Sequence, residues 1–308
     1  MEQVGATGNE IISVGIDHEG ETVVLWDKKT GRSVYHALVW QDRRTAEYCD
    51  TIRSKYGKII SERTHLPVDS YFSATKLQWL LQHVENASSL LQQGRLCAGN
   101  MDAWILWKMS GGKIHSTDGS TASRTMLYDV QKQDWAEDLL ELFGIPKQIM
   151  PTICDSNHVF GNTDSASFLG IAAPISGVLN DQQAALLGQG CTMPGKIKTT
   201  YGTGCFMFMN TGNYIVDSQN GILPTVAWRI DGKETYALDG GVYISGAATQ
   251  WLRDGLQIIE AAADTDAIAS SIDNTNGVYF VPAFTGLAAP YWDSYARGMM
   301  IGITGSTT

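Results

Sequence analysis

The chain has 308 residues, of which 22 are basic and 32 acidic, and its formal net charge is −10 at neutral pH. Hydrophobic residues make up 44% and charged residues 18%, ordinary values for a globular protein long enough for two domains. The acidity argues against nucleic-acid binding, which needs a basic face. No run of about 18 apolar residues predicts a membrane span, and the opening residues lack the basic and apolar segments of a signal peptide.

The cysteine pattern indicates a reducing compartment. The count is odd, and no two cysteines stand in a Cys-x-x-Cys pair. The five are Cys49, Cys97, Cys154, Cys191 and Cys205. We therefore expect neither a disulfide framework nor a structural zinc site, and we predict a cytoplasmic location.

The first half of the chain predicts strands followed by helices. Apolar runs separated by polar turns predict three strands, over 11–16, 22–26 and 34–40. Helical periodicity predicts three helices, over 43–56, 74–84 and 101–110. Asp134 is expected to cap a fourth helix, which ends at Gly144.

Beyond residue 170 strands dominate the pattern. A strand over 174–179 leads into a helix that starts at Asp181, and a later helix fits 246–259. Further strands are predicted over 196–201, 205–209, 222–230 and 235–239. We place a domain boundary near residue 190, which gives an α/β protein with domains of 1–190 and 191–308.

Asp181 is a candidate for acid–base chemistry. It follows a predicted strand, and the carboxyl end of such a strand faces the cleft where α/β proteins bind ligands. A carboxylate there can take a proton from a substrate hydroxyl. The alternative is a helix N-cap, which the residues alone favour.

Glycines join two predicted strands at 202–204, where the chain reads Gly-Thr-Gly. The backbone amides of such a turn can converge on a phosphate, while the alternative is an ordinary hairpin. The stretch 190–196 resembles a phosphate loop more closely, but Ile197 stands where a magnesium-binding Ser or Thr is needed. We interpret that stretch as a plain turn.

Aromatic residues are candidates for the apolar side of a binding site. They can form a wall against a polyol carbon chain, or pack in the core; they are Trp40, Tyr71, Phe72 and Phe206.

Together, these and neighbouring segments resemble the FGGY carbohydrate kinases, and within them the members that act on glycerol. The matching segments, in the family's order, are 39–45, 71–76, 122–127, 181–186, 201–206, 282–287 and 289–293. The resemblance implies two actin/RNase-H-like domains around a cleft. It implies phosphorylation of glycerol to glycerol 3-phosphate by ATP with Mg²⁺.

The resemblance also implies roles for single residues. It assigns Asp181 as the catalytic base. The implied substrate-binding residues are Glu21, Trp40, Tyr71, Asp181, Gln182 and Phe206. The implied ATP-binding residues are Gly202, Thr203, Gly204, Gly246 and Gln250. No residue of the chain is assigned to a metal.

Three departures from the family pattern bear on activity. Gly20 stands where the family has an arginine that contacts glycerol. The loss of such a charged hydrogen bond costs about 1.5–3 kcal/mol. The family's opening phosphate motif, whose Asp serves magnesium, and its later adenosine motif have no counterpart here. We therefore expect both domains to be incomplete and the chain as given to have little or no kinase activity.

Two other functions remain open from the sequence. One is a non-catalytic protein of this type that binds a polyol or a partner subunit, and the other is an FGGY kinase for another sugar or polyol. The expected partners are glycerol and ATP, with neither nucleic acid nor a membrane, and a homo-oligomer is the expected assembly.

Overall fold

The computed structural model describes residue 5, residues 7–218 and residues 220–307. The helices are α1 Ala46–Thr64, α2 Ser73–His83, α3 Ala87–Gln92, α4 Met101–Met109, α5 Gly119–Ala122, α6 Glu137–Leu142, α7 Asp181–Gly188, α8 Gly246–Asp254 and α9 Asp264–Ser270, with 3₁₀ turns at Gly8–Glu10 and Lys147–Ile149. The strands are β1 Val14–His18, β2 Val23–Asp27, β3 Leu96–Asn100, β4 Ser116–Asp118, β5 Tyr128–Asp129, β6 Asp134–Trp135, β7 Thr152–Cys154, β8 Gly161–Asn162, β9 Pro174–Asn180, β10 Ile197–Tyr201, β11 Cys205–Gly212, β12 Leu223–Ile230, β13 Lys233–Val242, β14 Tyr279–Val281 and β15 Met299–Ile301. Among the described helices, none combines the length and apolar character needed to cross a bilayer.

Parallel pairing of β1 with β9 sets the position of the site. The last residues of the two strands, His18 and Asn180, stand opposite each other. Because parallel strands end at the same edge of a sheet, the loop after β1 lies beside the start of α7, which follows β9 without a break. Residues far apart in sequence are thereby brought to one edge, the place where α/β proteins bind ligands.

A four-stranded antiparallel sheet, in the order β10-β11-β13-β12, forms the opposite side of the site. Tyr201 of β10 pairs with Cys205 of β11, so the glycine stretch 202–204 is a three-residue hairpin turn. The interpretation of 190–196 as a plain turn is also confirmed, since α7 precedes it and β10 follows it.

The largest hydrophobic core draws on both halves of the chain. Phe72 and Tyr128 from the first half and Leu223 and Val226 from the second belong to the same buried cluster. Buried polar contacts also join the halves: the Tyr128 hydroxyl donates to a carboxylate oxygen of Glu234. Burial of each large apolar side chain contributes roughly 1.5–3 kcal/mol, so the two halves stabilise each other.

The prediction of a strand over 34–40 is wrong. The segment runs beside β2 but bonds to it at isolated points, where the Val34 amide donates to the Leu25 carbonyl and the Leu38 amide to the Val23 carbonyl. Four residues along this segment therefore oppose two along β2. The extra residues interrupt the ladder of hydrogen bonds between this segment and β2.

Asp134 does not cap a helix, contrary to the sequence prediction. It lies in β6, paired with Asp129 of β5, and its carboxylate accepts the backbone N–H of Trp135. Helix α6 begins three residues later, with Ala136 at its N-cap position. The predicted helix limits also shift: the first runs to Thr64 rather than 56, and α8 ends at Asp254 rather than 259.

Candidate active site

A cavity of about 260 Å³ lies between the shared edge of β1 and β9 and the hairpin turn of β10 and β11. Its size suits a small ligand. All the predicted substrate residues line it, namely Glu21, Trp40, Tyr71, Asp181, Gln182 and Phe206. The glycine turn Gly202, Thr203 and Gly204 lines it too. Gly246 and Gln250 do not.

Asp181 is the first residue of α7, and Asn180 takes the N-cap position. One Asp181 carboxylate oxygen accepts the backbone N–H of Gln182 at 2.8 Å, and the other accepts Nε2 of the same residue at 2.7 Å. Burial raises the pKa of Asp181, the bonds from Gln182 lower it, and the nearby Glu21 carboxylate raises it. The carboxyl group is thus a fixed hydrogen-bond acceptor facing the cavity.

Lys198 orients the amide that holds Asp181, and sequence reasoning missed it. Its ammonium donates to Oε1 of Gln182 and, at 2.9 Å, to the hydroxyl of Thr200. With Oε1 so engaged, the Gln182 amide must present its N–H to Asp181. Lys198 is buried, and burial lowers its pKa to about 8.

A buried ion triad fixes Glu21. Arg124 Nε donates to Oε1 of Glu21 at 2.7 Å, and Arg124 Nη2 donates to Oδ2 of Asp239 at 2.8 Å. Burial alone lowers the pKa of Arg124, but the two carboxylates raise it overall, so the guanidinium stays charged. Both Arg124 and Asp239 line the cavity, and neither was predicted. For Arg124, the sequence did hold a signal: this residue lies within the segment 122–127 that matches the family.

Three aromatic rings form an apolar wall of the cavity. Trp40 meets Phe206 and Tyr71 edge-on, each with ring centroids 6.1 Å apart. Lys76, which is fully buried, donates from Nζ to the Tyr71 carbonyl at 2.6 Å and so anchors this residue. Phe72 stands behind the wall in the hydrophobic core, as the packing alternative predicted for it.

The glycine turn is held against the start of α8. The amide of Gly246 donates to the Gly202 carbonyl at 2.9 Å, and the amide of Ser245 donates to the Thr203 carbonyl at 2.8 Å. A Cβ at position 246 would lie 2.7 Å from the Gly202 carbonyl oxygen. Gly246 therefore supports the turn from behind, while Gln250 lies on an exposed part of the same helix.

Acidic and imidazole side chains offer no evident metal site. Within the described ranges, no three His, Cys, Asp or Glu side chains come close enough together to hold an ion. Asp181 is engaged with Gln182, and Glu21 and Asp239 with Arg124. A Mg²⁺ ion at this site would take most of its ligands from phosphates and water, with at most one or two carboxylates from the chain.

Comparison with known proteins assigns the class. Residues 1–188 match the N-terminal domain, and residues 197–308 the C-terminal domain, of the FGGY family of carbohydrate kinases. The chain belongs to this family.

Curated proteins with high sequence identity to this chain include glycerol kinases. The chain is 51% identical over 300 residues to the glycerol kinase of Dichelobacter nodosus, covering 97% of this chain and 60% of that protein. It is 50% identical over 309 residues to glycerol kinase 2 of Thermotoga maritima, covering 100% of this chain and 62% of that protein. The chain thus spans about 60% of the length of these curated relatives.

Solved structures show the same fold. The Plasmodium falciparum glycerol kinase with ADP superposes with a TM-score of 0.81 at 35% identity, covering 96% of this chain and 59% of that one. A xylulose kinase from Rhodospirillum rubrum, at 21% identity, gives a TM-score of 0.73 over 96% of this chain and 59% of its own. The predicted α/β fold of actin/RNase-H-like type is confirmed.

Proposed function

We propose that this protein phosphorylates glycerol to glycerol 3-phosphate at the expense of ATP. The observation that supports the proposal best is the convergence of the Asp181 carboxylate, the aromatic wall and the glycine turn on one small cavity. The names of the relatives that are about 50% identical agree with it. A division near residue 190, a homo-oligomer and a cytoplasmic location remain predictions.

The chemistry divides between two sides of the cavity. ATP supplies the phosphoryl group, and the Gly202–Thr203–Gly204 turn is the element that would hold its terminal phosphate. The remaining steps belong to this chain's residues. Glu21 and Gln182 bind hydroxyl groups, and Trp40 and Phe206 exclude water beside the carbon chain.

We assign the role of catalytic base to Asp181. As the oxygen of the reacting hydroxyl forms its bond to phosphorus, its O–H proton becomes acidic and passes to the Asp181 carboxylate. The phosphorus bond to the leaving oxygen of ADP breaks in the same displacement. Mg²⁺ is part of the proposal as the usual companion of ATP, but no residue of the chain is assigned to it and no step is derived through it.

Calorimetry with glycerol and a coupled assay for ADP release test the proposal on the 308-residue chain. We expect saturable glycerol binding and, because of the departures from the family pattern, only slow glycerol-dependent ADP release. Asp181→Asn should abolish this release while glycerol affinity changes only a few-fold. Binding without any turnover would support the non-catalytic alternative. Stronger binding or turnover of another polyol would support a different substrate, and the absence of any glycerol heat would contradict the proposal.

A further inference from the structure

The loop after β1 and the start of α7 approach each other closely at Gly20 and Asn180. A Cβ atom added at position 20 would collide with Nδ2 of Asn180 and lie 2.8 Å from its Cγ. Both residues line the cavity. The Asn180 side chain therefore occupies space that any side chain at position 20 would need, including the arginine that the family resemblance implies there.

Within the described ranges, the Asn180 carboxamide makes no hydrogen bond to another residue. Asn180 is only 3% exposed and holds the N-cap position of α7, yet its side chain does not cap the helix. Its backbone N–H donates to the Ser120 hydroxyl at 3.1 Å. Among the residues that the structure describes, nothing bonds the carboxamide itself. Because Asn180 lines the cavity and its carboxamide is not engaged by these residues, the group is available to bond a ligand.

The charges around the cavity restrict the class of ligand. Four carboxylates line it, from Glu19, Glu21, Asp181 and Asp239. Arg124 is the lining guanidinium, and it is already bonded to two of them. Beside these carboxylates, a negative charge on the molecule that accepts the phosphoryl group would be repelled. A neutral hydroxyl suits the carboxamide, which can donate and accept at once.

We propose that Asn180 is a substrate-specificity residue, whose carboxamide replaces the family arginine and binds one hydroxyl of a neutral polyol. This inference rests on the proposed function, because it concerns the same cavity. It assigns this polyol contact to Asn180 at the end of β9 instead of to position 20 in the loop after β1. It also means that positions 20 and 180 are coupled: an arginine at 20 requires that the Asn180 side chain move away or that a smaller residue stand at 180.

A double-mutant cycle tests the coupling. The variants are Gly20→Arg, Asn180→Gly and the pair together, each measured for glycerol affinity by calorimetry and for thermal unfolding without ligand. We expect Asn180→Gly to weaken glycerol binding about threefold to tenfold, the effect of one lost hydrogen bond. Gly20→Arg should weaken binding more and lower Tm, because the arginine meets Asn180. The double variant should bind glycerol more tightly than Gly20→Arg alone and recover most of the Tm.

Two further variants keep the test decisive. Gly20→Ala adds only the colliding Cβ and serves if the arginine prevents folding. Asn86→Gly is the matched control, since Asn86 is the exposed N-cap of α3 and also makes no side-chain cap. It should leave glycerol affinity unchanged.

The outcomes separate the two proposals. If the unaltered chain binds glycerol but the effects of the two substitutions are additive, or Asn180→Gly has no effect on affinity, the specificity role is overturned and the proposed function stands. If the unaltered chain binds no polyol, both the specificity role of Asn180 and the proposed function are contradicted.

Discussion

At the scale of residues, the geometry of the cavity depends on polar and charged side chains that hold one another in place. Lys198 holds Gln182, and Gln182 holds the Asp181 carboxylate. Asp181 and Gln182 were predicted from family resemblance, whereas Lys198 was not, because a lone lysine in a strand usually lies at the surface. Its partner is 16 residues away and on another element, a contact that spacing in the sequence does not reveal.

Acidification should weaken glycerol binding. The ionised carboxylate of Asp181 is the stronger hydrogen-bond acceptor, so affinity is full above its pKa and falls as pH drops through it. Burial raises that pKa and the Gln182 bonds lower it. Gln182→Met should therefore move the midpoint of the affinity profile to higher pH, as measured by calorimetry from pH 4 to 8. A midpoint that does not change, or that moves to lower pH, contradicts this prediction. As the control, Asp181→Asn should remove the part of the pH dependence that comes from Asp181.

Loss of Arg124 should destabilise the fold strongly. Arg124→Met leaves Glu21 and Asp239 buried without their counter-charge, which costs about 3–5 kcal/mol in comparable buried pairs. Urea unfolding at pH 7 measures the change in free energy of unfolding. The exposed Arg32 provides the control, since Arg32→Met should cost less than about 0.5 kcal/mol. A cost below about 1 kcal/mol for Arg124→Met would refute the role of the triad.

At the scale of elements, the site depends on three junctions: the end of β1, the start of α7, and the glycine hairpin that rests on α8. The sequence predicted the strand–helix junction at Asp181 and the hairpin, because apolar runs and glycines mark both. It did not predict that the segment 34–40 is irregular. Apolar residues recur there as in a strand, and only the spacing of its bonds to β2 shows that the ladder is broken.

A methyl group at Gly246 should disturb the junction between α8 and the hairpin. Gly246→Ala places Cβ 2.7 Å from the Gly202 carbonyl oxygen, so the turn must shift at a cost of about 1–3 kcal/mol. Gly188→Ala is the matched control: Gly188 ends α7, and its added Cβ meets nothing within 4 Å. Thermal unfolding should show a lower Tm for Gly246→Ala and an unchanged or higher Tm for Gly188→Ala. Equal Tm values in the two variants would contradict the close contact.

At the scale of the whole molecule, composition and family resemblance predicted the fold class but not how the halves are joined. The composition indicates only a core of sufficient size. That β12 contributes Leu223 and Val226 to the same core as Tyr128 follows from long-range packing, which no periodic pattern in the sequence encodes. For the same reason the triad was missed, since Arg124 and Asp239 lie 115 residues apart.

The shared core predicts that the chain unfolds as one unit. Differential scanning calorimetry should give a single transition with equal calorimetric and van't Hoff enthalpies, because residues 1–190 and 191–308 cannot separate without exposing common core side chains. Val226→Ala should lower the Tm of the entire transition. Two resolved transitions, with only one shifted by that substitution, would show that the halves unfold independently.

The contact between Gly20 and Asn180 also constrains the order in which the two positions can change in evolution. An arginine at 20 and an asparagine at 180 compete for the same volume. A lineage that exchanges one for the other avoids this clash when the arginine is lost before the asparagine arises, and otherwise the asparagine side chain has to move. The reverse path is equally restricted. A glycine at 20 is therefore a permissive substitution, neutral or harmful by itself, whose value depends on a change 160 positions further along the chain.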